Sequence, residues 1–396
     1  MLHLVHILEA TTGGTRRHLR DLVLGLDPGE FCVDVIVSLR RDPDVARDLA
    51  LFRARGIGVH VIPMRRRIAP MADLVALARL VRLLRSLRPD VVHTHSSKAG
   101  FLGRLAARLA GIRAAVHTSH AFAFEDAGAP WRGRCYRALE RAAIPWTMRL
   151  IAVSEHEREL ALELGFSPAQ VVRIPNGIAA DWNANVRRPT TNAKIPSEPQ
   201  TLNPESILVM FLGRLCRQKA PDLFLAAIPA ILLQAPEARF RIVGDGPWRQ
   251  WVMRQVARQA WRGHVTFGVA QEGAEVAAEL EATTVLVMPS RWEGMPYTLL
   301  EALQAGTPVV SAGVGGVLDV VIGPEGGRRR EPHAECAVLV PPDHPGMLAA
   351  AVAGLLRSPA ERARLAAAGR ERVRAFGLQR MLDETTAVYR KVACCT

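Results

Sequence analysis

The chain has 396 residues, of which 49% are hydrophobic, and this length predicts about two to three domains with separate cores. The net charge of +13 comes with only 5% aromatic residues, too few for a platform on which nucleic-acid bases stack. No apolar run approaches the roughly 18 residues of a membrane-spanning helix. The N-terminus lacks the basic region of a signal peptide, and the six cysteines lack metal-binding spacing. We therefore expect a cytoplasmic protein that does not bind nucleic acid.

The first 180 residues alternate apolar strands with amphipathic helices, which predicts a parallel sheet with helices on its faces. We predict strands at 2–8, 31–38, 58–63, 90–95, 114–117, 149–154 and 171–175, and helices at 16–26, 70–88 and 100–110. Gly13 and Gly14 fall in the turn between the first strand and the first helix. Glycines there let the backbone approach a phosphate or a sugar closely, although a simple tight turn is the alternative.

The helix predicted at 70–88 is rich in both apolar residues and arginine. Apolar residues occur at 71, 74, 75, 78, 81 and 84, and arginines at 79, 82, 85 and 88. Two interpretations remain open: an outer helix whose arginines face water, or a helix that lies on an anionic membrane. The Arg- and Trp-rich segment 131–149 leaves a similar choice between a surface helix and a membrane or polyprenyl-diphosphate contact.

Four histidines lie at or beside the carboxyl ends of two adjacent predicted strands. They are His93, His95, His117 and His120. Open α/β sheets bind ligands at this edge, which favours a functional site, whereas hydrogen-bonded core histidines are the alternative. The spacing matches no compact zinc motif and no cysteine joins the group, so we expect no metal.

A second set of alternating elements follows a proline-rich segment. Residues 181–206 lack hydrophobic periodicity and are predicted to be a linker between domains. We predict strands at 207–211, 240–243, 265–267, 285–288 and 307–311, and helices at 221–233, 297–304, 347–356, 361–376 and 378–392. The turn after the first of these strands contains Arg214 and Lys219, which can both point at one anion. Two solvated loop cations are the alternative.

Two carboxylates lie in and just before the predicted helix 297–304, and Pro296 is expected at its first position. Glu293 lies in the loop before this helix, and Glu301 lies eight positions later inside it. A carboxylate accepts two hydrogen bonds at once, which suits a vicinal diol such as a ribose or a hexose. The first amides of the helix, near Met295, would favour an anion. A dipole-stabilising acid and a solvated glutamate are the alternative.

Several segments resemble the retaining glycosyltransferases of family 4, in particular bacterial exopolysaccharide and lipopolysaccharide transferases. They are GGTRRHL at 13–19, HTHSSKAG at 93–100, HTSHAF at 117–122, GRLCRQKA at 213–220 and EGMPYTLLEALQAGTPVV at 293–310. The resemblance implies an α/β protein of the GT-B fold, with two Rossmann-like domains facing each other across a cleft. The acceptor domain would span 1–180 and the nucleotide-sugar domain 207–377, and a helix in 378–396 would return to the first domain.

The resemblance also implies roles for particular residues. Glu293 and His120 would contact the transferred sugar, and Glu301 the ribose. Arg214, Lys219, Met295, Gly13 and Gly14 would bind the rest of the donor, and His18, His95 and Lys98 would lie on the acceptor side. The chain departs from the family pattern at Ala121 and Ala220, where glycine is usual, and in a long segment at 323–335.

We therefore expect a retaining, metal-independent transferase that moves a hexose or N-acetylhexosamine from a nucleotide-sugar to a glycan or a polyprenyl-linked acceptor. No cofactor is expected besides the donor, and UDP is slightly favoured over GDP as its nucleotide. Peripheral association with the inner face of an anionic membrane is an open alternative to a fully cytoplasmic location. A nucleotide-sugar 2-epimerase of the same fold, or a protein that binds nucleotide-sugars without catalysis, are the alternative functions.

Overall fold

In a computed structural model of the protein, the described residues are 1–39, 45–65, 67–126, 128–180, 207–269, 273–323 and 336–395. The chain divides into two compact units. The first comprises Met1–Gly177 with Leu378–Thr396, and the second comprises Ile178–Gly377. The predicted linker at 181–206 and the long segment at 323–335, apart from Gly323, lie outside the described residues.

The first unit contains a parallel sheet of seven strands among the described residues. Its order is β3-β2-β1-β4-β5-β6-β7. The strands are β1 Leu2–Leu8, β2 Phe31–Val37, β3 Gly58–Val61, β4 Val91–His95, β5 Ala115–Thr118, β6 Arg149–Ala152 and β7 Val171–Arg173. The order reverses between β1 and β4, which is the place where open α/β sheets bind ligands beyond their carboxyl ends.

Helices cover both faces of this sheet. They are α1 Gly13–Gly25, α2 Val45–Ala54, α3 Pro70–Leu87, α4 Ser97–Ala110, α5 Pro130–Ala143, α6 Glu155–Leu164 and, from the end of the chain, α14 Leu378–Ala393. Alternate residues of β1 separate two cores: Leu4 and Leu8 pack with α1 and α14, while Val5 and Ile7 pack with α3 and α4. The expected return of the last helix to the first domain is therefore confirmed.

The predicted start of the first helix was wrong. Gly13 and Gly14 belong to the first turn of α1 and not to the turn before it. The buried residues of α3 are Ala76, Leu80 and Leu84. Of the apolar positions at 71, 74, 75, 78, 81 and 84, only Leu84 is buried.

The second unit repeats the plan with six described strands in the order β10-β9-β8-β11-β12-β13, all parallel. The strands are β8 Leu208–Leu212, β9 Arg239–Val243, β10 Val265–Gly268, β11 Val285–Met288, β12 Val309–Ala312 and β13 Val338–Val340. The helices are α7 Pro221–Leu232, α8 Arg249–Ala257, α9 Ala274–Glu281, α10 Tyr297–Ala305, α11 Gly315–Val321, α12 Pro345–Arg357 and α13 Pro359–Val373. The reversal falls between β8 and β11, the strands that precede Arg214 and Glu293.

Helix ends follow the local signals in the sequence. Helix α10 is capped by Gly306, which has a φ of 77° and whose backbone N–H donates to the carbonyls of Ala302 and Leu303 in the last turn. Pro296 was predicted to be the first helical residue, but it is the N-cap, because its ψ of 122° is extended. The helix therefore begins at Tyr297. None of the helices in the described part of the chain combines the length and apolar character needed to cross a membrane.

Candidate active site

A row of imidazoles lies on one face of the first sheet, beneath α1 and α14. In the parallel register His6 of β1 lies beside His93 of β4, and Leu8 lies beside His95, so these three histidines share a face. His6 Nδ1 is 3.1 Å from His95 Nε2, and His95 Nδ1 is 3.2 Å from His120 Nε2. His120, which follows β5, is therefore connected by hydrogen bonds through His95 to His6.

Three residues outside the predicted set bind histidines on this face of the sheet: Tyr389, Thr118 and Asn176. His93 Nδ1 is 2.6 Å from the hydroxyl of Tyr389 on α14, and its Nε2 is 2.9 Å from Thr118 Oγ1. His18 of α1 is 3.0 Å from Asn176 Oδ1 and lies edge-on to His120, with 4.6 Å between the ring centres. The alternation of β1 could have indicated His6, but nothing local in the sequence indicates Tyr389, which is brought in by α14.

His117 does not belong to this row, which corrects the predicted group of four histidines. It alternates to the opposite face of β5, where its Nδ1 is 3.0 Å from Thr94 Oγ1. A Cβ at Gly100 would be 2.4 Å from His117 Cε1, so α4 packs directly on this ring. Because side chains of a strand point to alternate faces, His117 contributes to packing beneath α4.

The imidazoles of the row are neutral at pH 7. Burial lowers the pKa of His6 to about 3 and that of His18 to about 4, because buried imidazolium ions lose their hydration. Burial also lowers the pKa of His93, His95 and His120 well below 6.5. A neutral imidazole carries one donor and one acceptor, so the central ring of the chain gives one hydrogen bond and receives the other.

Two groups of imidazoles are close enough for a metal ion. In His6/His93/His95 and His18/His95/His120 the ligand atoms lie within 4.8 Å of one another. Hydrogen bonds already engage both ring nitrogens of His93 and of His95. The observed placement of these rings is accounted for by hydrogen bonding, and the absence of a required metal stays a prediction.

The other predicted residues of the first unit occupy different surroundings. His95 is fully buried, so His120, which is partly accessible, presents the outer end of the row. Lys98 Nζ forms an ion pair of 2.6 Å with Asp73. Gly13 and Gly14 are exposed at the N-terminus of α1, whose N-cap Thr12 makes no side-chain capping hydrogen bond. Amides at such a terminus favour an anion.

In the second unit, Lys219 and Glu293 form an ion pair. Lys219 Nζ is 2.6 Å from Glu293 Oε1, and the two side chains are only 20% and 5% exposed. One lies in the loop after β8 and the other in the loop after β11, 74 residues apart in sequence. The strand order therefore brings together the cation and the acid that the sequence suggests for a donor site.

A second cation fixes the two loops against each other. The Arg291 amide donates to the Gln218 carbonyl at 2.8 Å, and the Arg291 guanidinium binds Asp222 at 2.6 Å and Asp343 at 2.8 Å. The Gln218 side chain donates to the Trp292 carbonyl at 3.1 Å. These contacts hold Lys219 beside Glu293. No local signal in the sequence indicates this role of Arg291.

The loop of Glu293 also lies against the N-terminus of α11. The Gly316 amide donates to the Glu293 carbonyl at 3.1 Å. A Cβ at Gly316 would lie 1.7 Å from the Gly294 carbonyl oxygen, so only glycine permits this approach. Ala220, in contrast, is buried in the left-handed region with a φ of 53°, where the family pattern has glycine.

The remaining predicted residues of the second unit lie on the same two loops and on α10. Arg214 is partly exposed directly after β8, and Met295 is 5% exposed in front of α10. Glu301 lies on α10 and is 7% exposed. The second unit thus presents two cations, two nearly buried carboxylates and a helix N-terminus at the carboxyl edge of its sheet, a combination suited to an anionic ligand with hydroxyl groups.

Comparison with known proteins gives matches over both units. The family description "Glycosyl transferase 4-like domain" matches residues 13–177, and "Glycosyl transferases group 1" matches 194–372. The UDP-Gal:alpha-D-GlcNAc-diphosphoundecaprenol alpha-1,3-galactosyltransferase of Escherichia coli is 34% identical over 265 residues, which are 63% of this chain and 65% of that protein. The alignment therefore spans just under two thirds of the length of that relative.

Two further proteins are similar over a larger share of their length. The glycogen synthase of Mycobacterium tuberculosis is 31% identical over 315 residues, which are 77% of this chain and 69% of that protein. The structure of a sucrose-phosphate synthase from Thermosynechococcus elongatus superposes with a TM-score of 0.77 at 22% identity and covers both chains completely.

Proposed function

Since the chain belongs to family 4 of the glycosyltransferases, enzymes of the GT-B fold, we propose that it moves a hexose or an N-acetylhexosamine from a nucleotide-diphosphate sugar to a lipid-linked acceptor with retention of configuration. The observation that carries this proposal is the pair of Lys219 and Glu293, separated by 2.6 Å. A donor carries both an anionic diphosphate and a hydroxyl-bearing sugar, so it can bind both members of the pair. The diphosphate pairs with the Lys219 ammonium group, and the Glu293 carboxylate accepts hydrogen bonds from the sugar hydroxyls.

The chemistry follows from charge development. The bond between the anomeric carbon and the β-phosphate oxygen breaks, and its electron pair stays on that oxygen. Lys219, Arg214 and the amides near Met295 stabilise the developing charge, which is the largest contribution in reactions of this type. The acceptor oxygen attacks the anomeric carbon from the face that the leaving group has left, and its proton passes to the departing phosphate oxygen.

The other predicted residues orient the donor. Glu301 binds the ribose hydroxyls, and Glu293 and His120 position the sugar. The exposed amides of Gly13 and Gly14 add a second N-terminus for the anionic part of the donor. Two cations and helix N-termini supply the positive charge that a divalent metal would otherwise bring, so we propose that transfer requires no metal.

The nature of the acceptor is inferred from the Escherichia coli relative, whose name specifies a UDP-sugar donor and a sugar-diphosphoundecaprenol acceptor. We therefore take UDP-galactose as the first donor to test, and a polyprenyl-diphosphate-linked sugar as the first acceptor. The experiment is a transfer assay with EDTA present, with NMR of the product to read the anomeric configuration. Release of UDP without acceptor and with an altered sugar would indicate an epimerase instead, and a strict metal requirement would contradict the proposed mechanism.

A lipid-linked acceptor also gives a reason for the surface formed by the N-terminal half of α3. Met71 is 76% exposed, Leu74 59%, Val75 50%, and Ile68 just before the helix 51%. The second half of the helix exposes Arg79, Arg82 and Arg85, and a groove of about 480 Å³ between α3 and α4 is lined by apolar side chains and two of these arginines. An apolar face bordered by arginines suits the interface of an anionic bilayer.

We expect the variant Met71→Glu/Leu74→Glu to lose binding to vesicles of phosphatidylglycerol and phosphatidylcholine by about 10-fold or more, because it removes apolar area and adds negative charge. Sedimentation with vesicles measures the bound fraction. The matched control is Leu233→Glu/Met253→Glu, which changes two other exposed apolar residues in the second unit. Equal binding of wild type and both variants would contradict a role of α3 at the membrane.

A further inference from the structure

A buried carboxylate on α6 supports the loop that carries His120. Glu157 is fully buried in the first turn of α6, whose N-cap Ser154 accepts a hydrogen bond from the Glu157 amide at 3.2 Å. In the usual capping box the glutamate returns to the N-cap amide. Here Glu157 Oε2 accepts instead from the Val153 amide at 3.1 Å and from Ser119 Oγ at 3.0 Å, and Oε1 accepts from the Ala121 amide.

The backbone that Glu157 supports is in an unfavourable conformation. His120 has a φ of 54° and Ala121 a φ of 74°, so two consecutive residues with a Cβ occupy the left-handed region. Such residues are less stable there than in the right-handed region, because their Cβ approaches the following carbonyl oxygen. A loop of this kind persists only where its surroundings hold it. The hydrogen bonds from Ser119 and Ala121 to one carboxylate bracket His120 on both sides.

The position of this loop sets the position of the imidazole. His120 Nε2 is 3.2 Å from His95 Nδ1, and its ring centre is 4.6 Å from that of His18. On the following side the loop is anchored by Phe122, which is buried and whose amide donates to Glu125 Oε2 at 3.1 Å. A change of the two dihedral angles at 120 and 121 would therefore move the imidazole out of the histidine row.

We propose that Glu157 is a positioning residue for sugar transfer, whose carboxylate holds residues 120 and 121 in the left-handed conformation that presents His120. This inference rests on the proposed contact of His120 with the transferred sugar. Glu157 does not touch the donor in this proposal; it acts through the backbone of Ala121 and the hydroxyl of Ser119.

The environment of Glu157 agrees with a role other than stabilising the fold. Within the described residues it forms no ion pair, and burial raises its pKa to about 7 despite the hydrogen bonds from Ala121, Val153 and Ser119. A carboxyl that is more readily protonated in the folded protein destabilises the fold when it ionises as the pH rises through this range.

The test compares Glu157→Gln, Ala121→Gly and the double variant. Glu157→Gln keeps the size of the side chain but removes the charged acceptor, and we expect it to lower kcat about 10- to 100-fold because a displacement near 1 Å costs about this much. The KM for the donor should change less, since Arg214 and Lys219, the cations proposed to bind the diphosphate, lie in the second unit. Ala121→Gly removes the Cβ that opposes a φ of 74°, so the double variant should recover part of the lost kcat.

A structural role alone would give a different pattern. Asp34→Asn is the matched control, because Asp34 is another nearly buried acid of the first unit, hydrogen-bonded to His3 and His60. It should change the melting temperature without changing kcat per folded molecule. If Glu157→Gln behaves in the same way, or if Ala121→Gly gives no recovery, the positioning role is rejected. Should Glu157→Gln fail to fold, Glu157→Asp, which keeps the charge but is one methylene shorter, gives the same comparison.

Hydrogen exchange separates this inference from the proposed function. The amide of Ala121 should exchange faster in Glu157→Gln than in the wild type, whether or not a donor has been found. Unchanged exchange at 121 would overturn the inference even in an active transferase. If the Ala121 amide exchanges faster in Glu157→Gln but the wild-type protein transfers no sugar, the proposed function is rejected. The support of the loop by Glu157 is then established all the same.

Discussion

Replacing Lys219 by glutamine is expected to lower kcat by about 100- to 1000-fold, the usual effect of removing one group that stabilises developing negative charge. Glutamine can still donate a hydrogen bond to Glu293, so the buried carboxylate keeps a partner and the loops keep their places. The loss should therefore appear in the chemical step and not in folding. Single-turnover transfer of sugar from the donor, with the melting temperature of each protein, measures both.

Arg217→Gln is the control for this experiment. Arg217 lies on the same loop, is exposed, and its guanidinium lies 5.4 Å from the centre of the Trp292 ring. Removing this charge should change kcat less than about threefold, because an exposed cation is screened by water and salt. Equal losses in the two variants would mean that only the general positive potential of the loop matters, and full activity of Lys219→Gln would reject its role at the diphosphate.

The substitution His120→Ala is expected to lower kcat by about 100-fold, because the sugar would lose a contact that orients it for attack. Binding of UDP alone should be unchanged, since Arg214, Lys219 and Glu301 belong to the second unit and the substitution leaves the amides of Gly13 and Gly14 in place. His120 is neutral, because burial lowers its pKa well below 6.5, so the loss should be the same from pH 7 to pH 8.5. Calorimetry with UDP and transfer rates at several pH values measure the two parts.

His60→Ala is the control for His120. His60 is a partly exposed histidine of β3 that hydrogen-bonds with Asp34 at 2.6 Å, and its loss should leave transfer unchanged. If His120→Ala binds UDP as weakly as an unfolded protein, its effect is structural. If it transfers sugar at the wild-type rate, the contact between His120 and the sugar does not exist.

The residues of the donor site could be predicted from local sequence motifs, but their contacts with one another could not. The spacing of Arg214 and Lys219 after a strand, and of Glu293 and Glu301 around a helix N-terminus, was readable because each motif lies within one strand-loop-helix segment. The contact between Lys219 and Glu293 depends on β8 and β11 being neighbours. Arg291, which fixes the two loops through Asp222 and Asp343, was missed because its partners are distant in sequence.

For the histidines, position near a strand end did not reveal which side chains lie together. All of the predicted group lie near strand ends, but strand alternation places His117 beneath α4 and the others beneath α1 and α14. His6 joins the row through the register of β1 with β4, and Tyr389 joins it through the packing of α14; of the two, Tyr389 has no local signature in the sequence. Glu157 could be found only as part of the cap Ser154-x-x-Glu157, which gives no hint that its carboxylate reaches Ser119 and Ala121.

The sequence by itself determined the two α/β units, the order of most strands and helices, and the residue types at the carboxyl ends of the strands. Periodicity, glycine and proline positions and charge are local properties, and such properties suffice for this level. The tertiary structure decided which side chains meet: the ion pair of the donor loops, the row of imidazoles and the carboxylate behind His120. Those contacts depend on register, strand order and the choice of face, which are fixed by packing many residues at once.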